Sequence, residues 1–172
     1  MLLTGLVAGC SSPPDVGDQV DEQPAAPLVD QGRLAGYLPA PAGWQRGDTI
    51  VAQVELPAPA SHAATSYRRE AATIDLEIID TAGQAEYLES TVKIAGTDFD
   101  RTSDNGYVRG TTVGGFPAVE SWNHIDRLAE LTVLVADRFV VHASASGLDG
   151  IAVLLDVVGQ IDLEELAAVR PR

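Results

Sequence analysis

The chain has 172 residues, of which 45% are hydrophobic and 5% aromatic, with a formal net charge of −14. That length suits one domain with an appendage, and the apolar share allows a core of Val, Ile, Leu and Ala with Trp44, Trp122, Phe116 and Phe139 as anchors. The charge repels phosphate backbones and sets nucleic acid aside as a partner. The single cysteine, Cys10, excludes an intramolecular disulfide and any CxxC site.

Residues 1–9, MLLTGLVAG, are apolar and end in small side chains. They fall short of the roughly 20 apolar residues a helix needs to cross a bilayer, and have the character of the end of a secretory signal. The run Leu6-Val7-Ala8-Gly9-Cys10 resembles the bacterial lipobox. The resemblance implies cleavage before Cys10, diacylation of its sulfur with palmitate-type chains, and acylation of the new amine. Two or more such chains hold a protein firmly to a membrane, where one does so only marginally. Ser11 stands where many inner-membrane lipoproteins of enteric bacteria carry Asp, which permits outer-membrane sorting. No Lys or Arg precedes Arg33, so the charged opening of such a signal is expected upstream of Met1. Without acylation Cys10 is a free thiol. Residues 10–27 are rich in Pro, Asp, Gln and Ser and bury too little to offset ordering, so they read as a disordered acidic tether. Residues 28–172 then form one domain.

Within that domain, Asp30 is placed to cap a short helix over 29–37, which Pro39, Pro41 and Gly43 end. Trp44 is expected to plug one end of the core. Residues 49–56 (TIVAQVEL) read as a strand, stopped by Pro57 and Pro59. Two strands follow over 64–69 and 73–80, joined by a turn at Glu70-Ala71. In the second, Ile74, Leu76 and Ile78 alternate with Thr73, Asp75 and Glu77, a period of two with one face wet. Asp80 or Thr81 can cap a helix over 83–95, with Tyr87, Leu88, Val92 and Ala95 as its apolar stripe. Residues 98–106 read as a polar loop. Four strands are expected over 107–113, 116–123, 128–135 and 139–145. Gly114-Gly115 and Ala136-Asp137 fit tight turns, and turns that short make their strands antiparallel. A helix over 148–159 carries Leu148, Ile151, Leu154, Leu155 and Val158 on one side, and Asp162 with Glu165 resembles a capping box. Runs of strands punctuated by helices define an α+β domain: a curved antiparallel sheet of about six or seven strands with packed helices.

The segments LPAPAGW (38–44), SYRRE with TIDLEIIDTAG (66–83), VGGFPAVES (113–121), LTVLVADRFVV (131–141) and IDLEELA (161–167) resemble a group of uncharacterised bacterial lipoproteins and exported proteins. Their domain is similar in layout to the Mog1/PsbP-like α/β/α sandwich, a group that includes mycobacterial LpqN-type lipoproteins. The shared motifs turn corners and fill a core. They imply a fold, and through it binding or assembly roles, more than an activity.

Candidate chemistry is sparse. His62, His124 and His142 show no HxH or HExxH spacing, and His142, between apolar residues, reads as a packed or edge histidine rather than a metal ligand. Asp98, Asp100 and Asp104 in DFDRTSDNG invite calcium but miss the EF-hand spacing, and a solvated loop accounts for them. Ser121, His124 and Asp126, with Arg127, invite a hydrolase reading, yet no GxSxG elbow is present and Ser121 and His124 lie too close along one strand. Trp122 reads as core or sheet packing, and Gly110 and Gly114-Gly115 as turn residues. The expectation is therefore a non-enzymatic envelope lipoprotein, lipid-anchored through Cys10. Its partner is the bilayer and an unidentified envelope protein or small ligand, with no catalytic, cofactor or metal residues assigned. A hydrolase centred on Ser121, His124 and Asp126 is the alternative.

Overall fold

The computed structural model describes residues 26–55, 59–84 and 95–170. In chain order the elements are α1 (Gln31–Ala35), β1 (Gln45–Arg46), β2 (Ile50–Val54), β3 (Ala60–Arg69), β4 (Ala72–Asp80), β5 (Asp100–Ser103), β6 (Gly106–Val113), β7 (Phe116–Asn123), β8 (Leu128–Val135), β9 (Phe139–Ser146), α2 (Ala152–Val158) and α3 (Leu163–Ala168). The strands form one antiparallel sheet in the order β1-β3-β4-β9-β8-β7-β6-β5, with β2 also paired to β3. The domain is thus α+β, as expected.

Local chemistry fixes the hairpins. Ala136 and Asp137 both have positive φ, 53° and 50°, as do Gly114 and Gly115, 57° and 83°. The Gly114-Gly115 turn is the two-residue hairpin whose twist matches that of the flanking strands, whereas the β8–β9 loop has three residues, 136–138, with Val135 opposite Phe139. The glycines reach positive φ without a Cβ penalty; Ala136 accepts the cost. Gly47 serves a different purpose. A Cβ there would come within 2.7 Å of Ser66 Oγ, so only glycine lets the chain between β1 and β2 press onto β3. Its N–H donates to the Ser66 carbonyl at 2.8 Å.

One face of the sheet holds the core. Tyr67, Ile74, Leu76, Ile78, Leu131, Val133, Val135, Phe139 and Val141 point at Leu34, Leu154, Val158 and Leu166 from the three helices. Each fully buried aliphatic chain contributes about 1.5–3 kcal/mol. Trp44 packs partly buried against this cluster under the Arg69 guanidinium, 4.4 Å from the ring. Asp30 caps α1 by accepting from the Arg33 N–H at 3.1 Å. Asp162 caps α3 by accepting from the Glu165 N–H at 2.8 Å. The reciprocal half of that capping box is replaced by a tertiary bond, in which the Tyr37 hydroxyl donates to Glu165 at 3.3 Å.

Three expectations need correction. The sheet has nine strands, not about six or seven. Two strands went unread because neither has a buried face to set a period: β1 is two residues long and β5 is wholly exposed. The second of these lies inside the expected loop 98–106. The C-terminal helix is shorter than 148–159, spanning Ala152–Val158. The helix expected over 83–95 lies almost wholly outside the described residues. At its described start, Ala82 and Gly83 have φ 53° and 78° and form a turn, not a helical first turn, whose N–H groups donate to Asp80 and Thr81.

Asp80 has a larger task. It is fully buried and accepts from the Val29 N–H at 2.6 Å and from both Nε and Nη2 of Arg138 at 2.8 and 2.7 Å. Arg138 also donates to the Pro27 carbonyl at 2.8 Å. This clamp fastens the start of the domain to the end of the sheet where β4 stops and β8 turns into β9.

Candidate functional site

The helices cover one face of the sheet, and the other is the candidate site. Cross-strand register determines what it presents. Residues opposite one another share a face, so the pairings Ser66↔Asp75, Asp75↔Ser144, Ser144↔Glu130, Glu130↔Ser121, Ser121↔Val108 and Val108↔Arg101 form one row across seven strands. The next row runs Ala64, Glu77, His142, Thr132, Val119 and Gly110. Small hydroxyl side chains alternate with carboxylates in the first row, which leaves shallow relief. Two concavities result. One, of about 380 Å³, lies over β2, β3, β4 and β9 and is bordered by Asp48, Ile50, Asp75, Glu77, His142 and Ser144. The other, about 320 Å³, lies over β5 to β8 and is bordered by Arg101, Val108, Ser121, Leu128 and Glu130. Where the face turns apolar, Leu134, Val140 and Ile79 make a small separate cluster.

The polar side chains are partly committed. His142 Nδ1 and Thr132 Oγ1 are 2.9 Å apart. His62 Nδ1 lies 3.8 Å from Glu77, an ion pair when the ring is protonated. His62 Nε2 is enclosed and has no hydrogen-bond partner among the described residues. Both histidines therefore flank Glu77 on this face. His142 is no edge residue, because β9 lies between β4 and β8 in the interior of the sheet. Among the described residues no group of three His, Cys, Asp or Glu side chains is disposed to hold a metal ion.

The same register puts a second feature on the helix-covered face. Glu120 is buried and accepts from Arg109 Nε at 2.6 Å. Arg109 lies over the Tyr107 ring, 4.7 Å from its centroid. Burial first, then the neighbouring Glu120 carboxylate, raises the Tyr107 phenol above its ordinary value. The bond to Glu120 holds the Arg109 guanidinium protonated still more firmly. This pair was legible in principle. A turn at Gly114-Gly115 fixes the register, and that register sets Arg109 opposite Glu120.

The residues singled out from sequence are dispersed. Ser121 lies on the open face and donates to Glu130 at 3.4 Å. Asn123 Oδ1 accepts from the Ile125 and Asp126 N–H groups, and its amide donates to the Asp126 carboxylate at 2.8 Å. Asp126 thereby closes a turn. His124 is exposed, its backbone N–H on the Asn105 carbonyl. Arg127, with φ 54°, donates to the Leu148 and Gly147 carbonyls and to Asp149. The structure does not gather these side chains around one point. Asp100 accepts from the Thr102 hydroxyl in the edge strand β5, and Asp104 is exposed in the turn after it. Trp122 is half-buried against the core. Cys10 lies outside the described residues, and no described helix is long and apolar enough to cross a membrane.

No family model matches the chain, and no curated protein does. Among solved structures it is similar to an uncharacterized protein of Mycobacterium smegmatis, the Rv0999 ortholog. The identity is 10% and the TM-score 0.38, over 80% of this chain and 98% of that one.

Proposed function

We propose that the chain is an envelope lipoprotein with a non-catalytic binding or assembly role. Acylated Cys10 holds it to the bilayer on the extracytoplasmic side, residues 10–27 act as the tether, and the domain over 28–172 is Mog1/PsbP-like in layout. The observation that carries the binding role is the uncovered sheet face, with its row of hydroxyls and carboxylates and two concavities. A broad relief of short polar groups offers hydrogen bonds to a docking surface. The clamp at Asp80 adds support: the chain enters the domain at one end of the sheet, leaving the open face and the opposite end free to meet a partner.

The test is made on the native protein. Intact mass should show two or three acyl chains on a chain beginning at Cys10. The protein should fractionate with membranes, and Cys10→Ser should release it. An unmodified thiol together with a cytosolic location would sink the anchoring. For the binding role, a photoreactive side chain at position 130 should crosslink to a defined envelope component in cells.

A further inference from the structure

We propose that β2 is a docking edge that accepts an extended, basic-flanked segment of a partner protein as an added strand. The proposal deepens the binding reading above and rests on it. It starts from the contrast between the margins of the sheet. A strand edge presents unpaired N–H and C=O groups, and proteins blunt such edges with charge, proline, bulges or shortness. At the far margin, β5 is blunted: four residues, Asp100-Arg101-Thr102-Ser103, all exposed and two of them charged. At the near margin β1 has two residues and is followed by the bulged segment at Gly47. The neighbouring strand β2 has none of these devices. Its sequence IVAQV contains no charge and no proline, and among the described strands it pairs only with β3. Ile50 is 67% exposed and Val51 41%, on opposite faces of the strand. An incoming strand would complete the backbone ladder and cover both side chains, the mode known as strand addition.

Charge decides between occupants. A second copy pairing antiparallel about Ala52 would bring Asp48 and Glu55 of the two chains together at both ends of the ladder, between molecules that each carry −14. Like charges so placed oppose pairing. The same two carboxylates, with Asp75 and Glu77 in the adjoining concavity, favour an incoming strand with Lys or Arg at its ends. The nearby cation, Arg46, is engaged with the Thr49 hydroxyl and the Leu38 carbonyl. The occupant is therefore a strand with alternating apolar and hydroxyl residues at its centre and basic residues at its ends.

The probe is a fluorescein-labelled peptide Lys-Thr-Val-Ser-Val-Thr-Val-Ser-Arg, titrated with the full chain and followed by anisotropy. It should bind at least about tenfold more tightly than the same peptide with Glu at both ends, and weaken several-fold on raising salt. A version N-methylated at alternate residues, which cannot complete the ladder, should not bind. Val51→Lys, which blunts the edge at an exposed position, should abolish binding with an unchanged far-ultraviolet spectrum. Ile125→Lys, at a more exposed position in a distant turn, should leave it intact. Equal binding of the Glu-flanked or N-methylated peptide overturns the proposal. So does a dimer in sedimentation that Val51→Lys dissolves, since the occupant would then be a second copy. In cells, a crosslink from position 130 with none from position 51 leaves the binding role standing and removes the edge. Silence at both positions removes both.

Discussion

Among the described residues two carboxylates are buried, and they are buried differently. Asp80 is fully enclosed, its Arg138 partner is 16% exposed, and the pair also satisfies the Val29 and Ala82 N–H groups and the Pro27 carbonyl. Glu120 is nearly as deep, but its Arg109 partner is 48% exposed and lies over Tyr107. The first pair joins segments over 50 residues apart in sequence. The second links neighbouring strands of one hairpin. Burial of the anion alone does not set the importance of an ion pair. What matters is whether the cation has water to retreat to, and how many backbone groups depend on the same oxygens.

The largest test of that contrast is Asp80→Ala. It strands a mostly buried guanidinium and two N–H groups and should cost about 3–5 kcal/mol in urea unfolding. A loss below about 1 kcal/mol would dissolve the distinction. Glu120→Gln keeps the shape and lets Arg109 turn outward, so about 1–2 kcal/mol is expected. Tyr67→Phe asks whether depth matters for a neutral group. It removes a hydroxyl that donates to the Pro39 carbonyl at 2.7 Å from a fully buried ring, and should cost about 1 kcal/mol.

The same tyrosine sharpens the pH response. Burial comes first among the causes that push Tyr67, Tyr107 and Tyr37 above the ordinary phenol value. A raised folded pKa means that the native state holds its proton longer. Stability from these groups is therefore complete below about pH 10 and lost as pH rises through the folded values. Alkaline unfolding should show this fall, and Tyr67→Phe should make it shallower. A curve flat through pH 11–12 would count against the burial of these rings. The smallest effect belongs to an exposed carboxylate with one backbone partner. Asp162→Ala, at the cap of α3, should cost about 0.5–1 kcal/mol, read from the same urea curves.

Much of the strand pattern was legible because it is local. Alternation over 73–80 and tight turns at Gly114-Gly115 and Ala136-Asp137 specify antiparallel hairpins, and these are the hairpins present, the second with Arg138 as a third loop residue. Asp30 and Asp162 cap the helices they were expected to cap. What escaped was non-local or had no burial to announce it. The pairing of β4 with β9 joins strands 59 or more residues apart, and it is this pairing that brings Asp75 and Glu77 beside Ser144 and His142. Nothing in either segment names the other. The partnership of Asp80 with Arg138 was not legible locally either. Within the open-face row, the step from Ser144 to Glu130 depends on the third loop residue, Arg138; a two-residue turn at Ala136-Asp137 would have set Glu130 opposite Ala143, so this step was not legible from the turn alone.

The clamp at Asp80 also has a mechanical meaning. For a chain held from upstream of residue 26, any tug is delivered to Val29 and Pro27, and from there to β4 and to the β8–β9 corner through Asp80 and Arg138. Those are interior strands, each with a partner strand on both sides. Traction is thus shared by the middle of the sheet instead of peeling it from a margin, and the domain can strain against its mooring while its borders stay intact.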